Sequence, residues 1–451
     1  MKVTSSYAAE IRKQNIPLRA TLDIYQKAVS WLIPVYDREW EVLEAEKDKN
    51  RQFNLAEHLI HETKKNHASY PFDAAFPKMP SYLRRSAIRH ALGSVSSYRT
   101  RVLLWEKGEL SGRPQLTAVN HAMPVFYHKE MYRISRGVSG QNIADSCEDW
   151  IELKLYSGKD WLWYPVRLLH TDLQYLRKHW GGNKTESPVL EKKHRKYFLR
   201  FSFKKDVRLQ ERQMTERKIC AVDLGINTHA VCSVMDREGT VLARKFIDFA
   251  GEKDLLHHMT GRIRRVQREP GRANQIRKRW KYAVRLNEEL SRKISTAICR
   301  FAGEQGCDVL VFEYLDMQGK ILGSRKQKLH LWRKRDVQKR CGHMAHRMGM
   351  RFARVNARGT SALAYDGSGK VVRDRDNYSM CTFRSGKRYH CDLSASYNIG
   401  ARYWIREIFK SLPETTGALL EAEVPAVKRR SRCVYADLIL LNRAMREKNI
   451  A

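Results

Sequence analysis

An apolar stretch that carries a single carboxylate sets the strongest constraint on the fold of this chain. Residues 218–235, KICAVDLGINTHAVCSVM, are followed by the turn DREG and the segment TVLARKF, and together they predict two strands and their turn. Asp223 lies within the first strand, where burying an unpaired charge is costly and raises the pKa of the carboxyl. The stretch therefore implies a cation beside Asp223.

The segments that follow alternate between helix and strand patterns. A long basic stretch repeats apolar residues at helical spacing, at Leu286, Leu290, Ile294, Ile298 and Phe301. CDVLVFEYL predicts an apolar strand that ends at Glu313, GMRFARVNA predicts another strand, and DLSASYNIGARYWIREIF predicts a helix that begins at Asp392. The order is that of an RNase H-like α/β fold, namely hairpin strands followed by helix, strand, helix, strand and helix.

In such a fold Asp223, Glu313 and Asp392 can converge on one face of the sheet. Three hard oxygen ligands favour magnesium or manganese over zinc or copper. Two such ions, roughly 3.5–4 Å apart, would support hydrolysis of a phosphodiester by in-line displacement.

Each acid alone also has an ordinary explanation. A carboxylate at a strand end is commonly a turn or cap residue, Asp392 could cap its own helix, and Glu313 could pair with an arginine. The combination of the three favours a metal site. Other acids lie in sequences typical of loops or strand edges and rank lower: Asp308, Asp316, Asp366, Asp374 and Asp376.

The first half of the chain has a different pattern. Residues 15–112 predict helices, most clearly after FPKMPS, where apolar residues recur at helical spacing from Leu83 to Val102 and Ser81 is placed as the N-cap. Residues 113–215 contain short apolar runs separated by turn residues, such as DWIELKLYSGKDWLWYPVRLL. These runs predict strands, with a Gly-containing hairpin turn, in a β-rich barrel or sheet.

The charge balance indicates the class of partner. The 451 residues include 85 Lys and Arg against 49 Asp and Glu, a net charge of +36 spread along the whole chain. A charge of this size repels itself unless a polyanion balances it, so nucleic acid is the leading partner. No apolar run reaches the roughly 18 residues of a membrane-spanning helix. The polar start and nine scattered cysteines without a C-x-x-C pair favour a cytoplasmic protein.

Three segments, VDLGIN, VFEYL and CDLSASYNIGAR, resemble the three RuvC motifs of TnpB, the transposon-encoded RNA-guided nucleases, and of the related type V CRISPR effectors. FPKMPSYLRRSAIRHALGSVSSYRT also resembles part of the TnpB recognition lobe. Matched motif to motif, Asp223, Glu313 and Asp392 take the positions of the catalytic acids. The resemblance implies an RNA-guided, magnesium-dependent DNA endonuclease, in which a guide RNA pairs with double-stranded target DNA beside a short flanking motif.

The resemblance also implies an α+β multidomain fold, in which a helical recognition lobe and a β-barrel wedge domain join an RNase H-like (RuvC) nuclease domain. The expected regions are recognition 1–112, wedge 113–216, nuclease core with a basic helical insert 217–357, target-binding insert 358–391, final core helix 392–411, and C-terminal tail 412–451. No function is predicted for the tail. We expect a monomer, with a dimer as the alternative.

Two features depart from the family pattern. Relatives commonly carry a zinc ribbon with two C-x-x-C pairs before the third motif, whereas residues 358–391 contain only Cys381 and Cys391. Four ligands at ribbon spacing are therefore missing, and we expect a zinc-free insert with structural cysteines. In the third motif, Ser394 stands where relatives have Asn.

The basic segments predict phosphate contacts rather than only solvated helix faces. Between Ser324 and Arg358 the only acid is Asp336, and GRIRRVQREPGRANQIRKRWKYAVR is similarly basic. Cys341, His343 and His346 resemble half a metal site, but their basic helix favours a solvated or nucleic-acid-facing role. The candidate nucleic-acid-binding residues are Arg84, Arg85, Arg89, Arg264, Arg265, Arg277, Lys278, Arg279, Arg333, Lys334 and Arg335.

Two other functions are compatible with the sequence. An RNase H-fold DNA transposase also uses three carboxylates, but its last acid is typically Glu, whereas the order here is Asp, Glu, Asp. An RNA-guided protein that binds DNA without cleaving it is the other alternative, because the third motif is altered and the zinc ribbon is missing.

Overall fold

The computed structural model describes residues 1–12, 15–134, 143, 149–225, 228–269, 271–314 and 325–450, with 273 and 325–332 described by their backbone alone. Contacts divide the chain into two compact units. The N-terminal unit is Lys2–Asp206, and the C-terminal unit is Met1 with Val207–Ala451. Among the described helices, none is both long enough and apolar enough to span a bilayer.

The N-terminal unit combines helices and short sheets around one hydrophobic core. Its helices are α1 (Leu18–Arg38), α2 (Trp40–Ala45), α3 (Lys49–His58), α4 (Phe72–Ala75), α5 (Ser81–Glu106) and α6 (His170–Trp180). Its strands are β1 (Lys2–Glu10), β2 (Tyr132–Ile134), β3 (Trp150–Tyr156), β4 (Trp161–Arg167), β5 (Lys184–Thr185), β6 (Val189–Lys193) and β7 (Lys196–Asp206).

The helix predicted after FPKMPS is confirmed as α5. Its apolar stripe is buried through Leu83, Ala87 and Val95, and the helix packs against α1. The predicted cap is wrong, because Pro80 is the N-cap and Ser81 is already the first helical residue. Pro80 has the extended ψ of 135° that leads the chain into the helix.

The predicted hairpin is also confirmed. β3 and β4 pair antiparallel along their whole length, and Gly158 adopts a φ of +103° in the turn between them. Strand β1 was not predicted, because KVTSSYAAE has few apolar residues to alternate. It pairs with the full length of β7, so the N-terminal residues belong to the β-rich part of the unit.

The expected wedge barrel is not found in the described part of the unit. The strands there form one sheet of β1, β7, β5 and β6 and a second sheet of order β2-β3-β4. An isolated bridge between Ile11 and Leu168 connects the two sheets, but no ladder closes them into a barrel. The short β2 and β5 supply too few residues for a continuous ladder, and α6 follows β4 where a strand would be needed.

The C-terminal unit is a mixed α/β structure, as the sequence predicts. Its strands are β8 (Ile219–Asp223), β9 (Ala230–Met235), β10 (Val241–Ile247), β11 (Val309–Tyr314), β12 (Arg351–Asn356), β13 (Val372–Arg373), β14 (Met380–Thr382) and β15 (Arg388–His390). Its helices are α7 (Ala250–Gln267), α8 (Ala273–Glu304), α9 (Arg325–Arg347), α10 (Cys391–Ser411), α11 (Glu414–Glu423), a 3-10 helix (Pro425–Arg432) and α12 (Tyr435–Glu447).

A five-stranded sheet of order β10-β9-β8-β11-β12 organises this unit. β8, β9 and β10 are antiparallel neighbours, whereas β11 runs parallel to both β8 and β12. Side chains of a strand alternate between the two faces. Ile219 and Ala221 accordingly pack in the cluster that contains α10, while Cys220 and Val222 pack in the cluster that contains α8 and α9.

Helix α10 lies unusually close to the sheet. A Cβ added at Gly400 would lie 3.1 Å from Met235 Cε and 3.4 Å from Ala221 Cβ, so the helix contacts the strands almost through its backbone. The buried hydroxyls of Ser233 and Ser396 hydrogen-bond at 2.5 Å and connect α10 to β9. These contacts fix the position of the helix and therefore of its N-terminus.

We predict that Gly400→Leu destabilises the C-terminal unit by about 1–3 kcal/mol, because the larger side chain must push α10 away from β8 and β9. The measurement is the midpoint of urea unfolding followed by circular dichroism. Gly417→Ala in α11 is the control, because its Cβ would lie 3.6 Å from Phe409, an ordinary contact. An unchanged midpoint for Gly400→Leu would contradict the close packing described for α10.

Candidate active site

The alternation of side chains along the sheet carries two of the candidate acids to the α10 face. Ile219 and Ala221 of β8 and Val309 and Val311 of β11 pack in the cluster that contains α10. By alternation, Asp223 and Glu313 lie on this same face of the sheet. Val222 is paired with Phe312 in the parallel register of β8 and β11. The two carboxylates that come next therefore leave adjacent strands side by side.

The third candidate acid lies in the first turn of α10. The helix begins at Cys391 with His390 as its N-cap, one residue earlier than predicted, and no side-chain hydrogen bond caps it. Asp392 is therefore not the N-cap, which removes the ordinary explanation for this carboxylate. The positive end of the helix dipole favours an anion at this position.

One cavity of about 300 Å³ is lined by all three acids. The structure thus brings together Asp223, Glu313 and Asp392. Gly225 also lines it, and an added Cβ there would lie 3.0 Å from Asp392 Oδ2 and would collide with the carbonyl oxygen of Thr228. Glycine is therefore needed at the second residue after the Asp223 strand. The remaining described lining residues are Leu224, Lys334, Ser361, Arg373, Tyr378 and Ser379.

The acids in this cavity resist ionisation. Burial raises the pKa of Asp223, which is 4% exposed, well above its usual range, and the charges of Glu313 and Asp392 raise it further. Burial also raises the pKa values of Glu313 and Asp392. Lys334 lowers the pKa of all three acids, so its charge partly compensates the cluster. Further positive charge beside these carboxyl groups would therefore stabilise their ionised form.

A chain of hydrogen bonds holds Glu313 in place. The Thr360 hydroxyl donates to Glu313 Oε1, and the buried Asn398 amide donates to the carbonyl oxygens of Thr360, at 3.0 Å, and Leu363, at 2.9 Å. Asn398 Oδ1 accepts from the backbone N–H of Tyr435 at 3.0 Å. Asn398 therefore connects α10, the Thr360 loop and the start of α12.

A buried arginine forms a second connection to the C-terminal tail. Arg402, 3% exposed, donates to the carbonyl oxygens of Cys433 at 2.8 Å and Asn356 at 2.7 Å. Its charge lowers the pKa of Glu313. The tail, for which the sequence predicted no function, thus supplies backbone groups that hold the residues around Glu313.

The donor set suits a hard divalent cation, because it consists of carboxylate oxygens in a shared, partly neutralised cavity. In the described part of the chain, however, no three Asp, Glu, His or Cys side chains already form a group that could hold a metal ion.

The insert before α10 contributes to the same cavity. Arg373 of β13 lines it and lowers the pKa values of Asp223 and Asp392. Cys381 and Cys391 are buried in a small apolar cluster with Phe383, where burial raises the pKa of the Cys381 thiol to about 12. Ser394 accepts a hydrogen bond from the Tyr365 backbone at 3.2 Å, so it anchors the insert to α10.

Three of the five lower-ranked acids have structural partners. Asp308, 1% exposed, accepts from the Lys218 backbone at 2.9 Å. Asp366 accepts from Ser385, and Asp374 accepts from Arg388 and from two backbone N–H groups of its own loop. Asp316 lies outside the described residues.

The candidate nucleic-acid-binding residues of α5 differ in exposure. Arg84 is 7% exposed and pairs with Glu57 at 3.5 Å and Asp73 at 3.6 Å, so its charge acts inside the unit. Arg85 is half-exposed and lies 3.5 Å from Glu57. Arg89 is exposed and donates to the Tyr127 hydroxyl at 3.3 Å. Arg89 is therefore the most accessible of the three.

The candidates of the C-terminal unit separate into two groups. Those on α7 and α8 lie on the helix surfaces and are exposed or half-exposed: Arg264, Arg265, Arg277, Lys278 and Arg279. On α9, Arg333 is 3% exposed and burial lowers its pKa to about 10, while Lys334 lines the acid cavity. Arg335 is exposed and lines a different cavity. The side chain of Trp332 lies outside the described residues.

Sequence reasoning missed several residues of this site. Arg373, Thr360, Asn398 and Arg402 have no spacing pattern that relates them to the acids, because their positions depend on tertiary contacts. Asn398 carried one usable signal, since a polar amide in the apolar helix segment YNIGARYW indicates a buried hydrogen-bonding role.

The comparison with solved structures finds one that shares the fold. The mini-RNA-guided endonuclease CRISPR-Cas_phi3 superposes with a TM-score of 0.51 and 13% identity, over 88% of this chain and 92% of that chain. CasPhi-2 (Cas12j) bound to crRNA gives a TM-score of 0.45 and 11% identity, over 88% of this chain and 97% of that chain. A Cas12f1–sgRNA–target DNA complex gives a TM-score of 0.30 and 14% identity, over 88% of this chain and 98% of that chain. The first comparison shows a fold like that of a compact type V CRISPR effector.

The sequence comparisons are narrower. Residues 5–157, about a third of the chain, match the Aq_aa04 family. No curated protein matches the chain. Because the family match lies inside the N-terminal unit, it does not bear on the acid cavity.

We predict that Asn398→Asp lowers the free energy of unfolding by more than about 2 kcal/mol, because a carboxylate cannot donate to the two carbonyl oxygens and would be buried among them. The measurement is the urea midpoint. Asn442→Asp is the matched control: Asn442 is similarly buried but donates to a single carbonyl, that of Arg237 at 3.0 Å, so about 1 kcal/mol is expected. Equal losses would show that the Asn398 contacts are not decisive.

Proposed function

We propose that this protein is an RNA-guided DNA endonuclease of the TnpB and type V effector kind, with a single RuvC-like site at Asp223, Glu313 and Asp392. The observation that carries the proposal is that three carboxylates from distant parts of the sequence line one cavity. Two leave adjacent parallel strands and the third opens the helix that packs on them. A purely structural role would not require three like charges at one place.

Magnesium or manganese is the proposed cofactor, held by the same three residues. Bound there, the ions would supply an activated water and stabilise the leaving oxygen of a phosphodiester. The protein's own contribution is to keep the carboxylates buried and oriented. Thr360 directs Glu313 through its hydrogen bond, and Gly225 leaves room for Asp392.

Lys334 and Arg373 are proposed to bind the phosphate of the strand to be cut. Both line the acid cavity, and both lower the pKa of Asp223 and Asp392 through their charge. A cation beside a carboxylate cluster attracts the phosphate backbone, which the cluster alone would repel. These two residues would therefore counter the repulsion between acids and substrate.

The guide RNA and the DNA target are proposed from three supports. The motifs resemble those of RNA-guided nucleases, a solved structure of such an endonuclease shares the fold, and the net charge of +36 needs a polyanion. The basic surfaces of α7 and α8 are proposed to contact the RNA, and base pairing would read most of the target. The region boundaries given above, the zinc-free insert and the cytoplasmic location belong to the same proposal.

A second function is favoured by two sequence features. The third motif carries Ser394 in place of Asn and the insert lacks the four zinc ligands, which fits an RNA-guided protein that binds DNA without cutting it. The two functions make the same prediction for RNA binding and opposite predictions for cleavage.

We predict that Asp223→Asn, Glu313→Gln and Asp392→Asn each reduce magnesium-dependent cleavage roughly a thousandfold, because losing a metal ligand costs about 4 kcal/mol of transition-state stabilisation. The assay uses protein purified with its bound RNA and a plasmid matched to that RNA. EDTA should abolish cleavage by the wild type. DNA binding without cleavage by the wild type would establish the second function instead.

Glu447→Gln provides the control for these variants. Glu447 is an exposed carboxylate on α12, outside the lining of the acid cavity and outside the proposed RNA-binding helices, and its replacement changes the net charge by the same amount. Cleavage should be unaffected. A comparable loss in this variant would mean that charge, and not position, explains the effect of the three acids.

We predict that the protein co-purifies with RNA when expressed together with its neighbouring genomic sequence, and that binding weakens steeply with salt. Each phosphate contact contributes about −0.7 to the slope of log K against log salt. Arg277→Gln with Lys278→Gln should make the slope shallower by about 1.4, whereas the exposed pair Lys428→Gln with Arg443→Gln should change it less. Absence of bound RNA would refute the guide hypothesis.

A further inference from the structure

A second cavity of the C-terminal unit lies between α9 and the edge strand β12. Its volume is about 460 Å³, which is in the range of roughly 300–1,000 Å³ that small-molecule sites occupy. Its described lining includes Arg335, Lys339 and His343 from α9 and Phe352 and Arg354 from β12. We refer to it as the α9–β12 cleft.

One wall of the cleft is a row of basic side chains. Arg335, Lys339 and His343 follow one another at four-residue spacing on α9, so they form one stripe, and all three are exposed. Among the described lining residues there is no Asp or Glu. Cys341, by contrast, is fully buried on the other side of the helix, so it is not part of a site with the histidines. The chemistry of this wall suits a phosphate.

The opposite wall offers an aromatic surface. The half-buried ring of Phe352 packs on one side against Phe312, with ring centroids 5.6 Å apart. Gly342 lies against the Phe352 ring, where an added Cβ would be 3.6 Å from it. Because Gly342 has no side chain, its backbone lies close to the ring without covering the part of the ring that lines the cleft. This aromatic surface can contact a nucleic-acid base.

The cleft is linked to the candidate acid site. Gln338 lines the cleft, and its amide donates to the backbone carbonyl oxygen of Glu313 at 2.8 Å. Arg354 lies over the ring of Tyr314, 4.7 Å from its centroid. Tyr314 directly follows Glu313 in the sequence. A strand that places a nucleotide in the cleft therefore lies next to the carboxyl end of β11.

We propose that the α9–β12 cleft binds one nucleotide of a single-stranded nucleic acid, with its phosphate on Arg335, Lys339 and His343 and its base beside Phe352. The cleft lies on the α9 face of the sheet and the acids lie on the α10 face, but Gln338 connects the cleft to the Glu313 backbone, and on this link we assign the nucleotide to the DNA strand that enters the acid site. That assignment rests on the proposed nuclease function, whereas nucleotide binding in the cleft does not require cleavage.

The test is photo-crosslinking of the full-length protein, in EDTA, to single-stranded oligonucleotides that contain 5-iododeoxyuridine in DNA or 5-iodouridine in RNA. Modified peptides are mapped by mass spectrometry. We expect the DNA oligonucleotide to modify Phe352 or His343. Arg335→Gln with Lys339→Gln keeps both acceptor residues and should reduce the yield at these positions roughly tenfold, because each charged phosphate contact is strong.

Arg443→Gln is the control, because Arg443 is an exposed cation on α12 outside the cleft lining, and the yield should not change. Crosslinks that avoid the cleft, or an undiminished yield in the double variant, would overturn the proposal. Crosslinking by RNA alone would overturn the assignment to the DNA strand.

Cleavage of a matched plasmid, measured separately with magnesium, distinguishes the two proposals. Crosslinking at Phe352 without any cleavage would support nucleotide binding in the cleft and refute the nuclease function. Cleavage without crosslinking in the cleft would support the nuclease function and refute nucleotide binding in the cleft.

Discussion

The gathering of three carboxyl groups at one cavity, with Asp223 buried and Glu313 and Asp392 half-buried, is the constraint on which the C-terminal unit depends. Carboxylates as buried as Asp223 are stable only where positive charge and hydrogen bonds compensate them. The unit supplies Lys334 from α9, Arg373 from the insert and Arg402 from α10. Each comes from a different part of the sequence, so the arrangement forms only when the sheet, the final helix and the insert are assembled together.

The position of α10 follows from the same constraint. Its close approach at Gly400 places Asp392 over the carboxyl ends of β8 and β11, and Asn398 and Arg402 then reach the loops that hold Glu313. The backbone groups of Cys433 and Tyr435 satisfy polar atoms that would otherwise be buried without partners. The C-terminal tail is therefore part of the scaffold of the site, even though none of its side chains lines the described cavity.

The sequence predicted those parts of the structure that depend on local periodicity. Strands β8 and β11, helices α5 and α10 and the β3–β4 hairpin all follow from apolar spacing and turn residues. The shared location of the three acids also followed, because the period of a strand and the order of elements determine which face a residue occupies. Strand β1, the lack of a closed barrel among the described strands and the contacts of Arg373 could not be predicted, because they depend on pairings between distant segments. Ser81 failed as a cap because Pro80 already provides the backbone geometry of the helix entry.

Strand β11 connects the two cavities of the C-terminal unit. The Glu313 side chain faces the acid cavity, while its carbonyl oxygen accepts from Gln338, which lines the α9–β12 cleft. The position of Glu313 is therefore restrained by contacts on both sides of the sheet. If the cleft binds a nucleotide as proposed, its occupation would stabilise the backbone that positions the carboxylate, and a change at Gln338 would reach Glu313 without touching the other two acids. The sheet edge proposed to bind a nucleotide and the sheet face that carries the acids would then act on the same peptide unit.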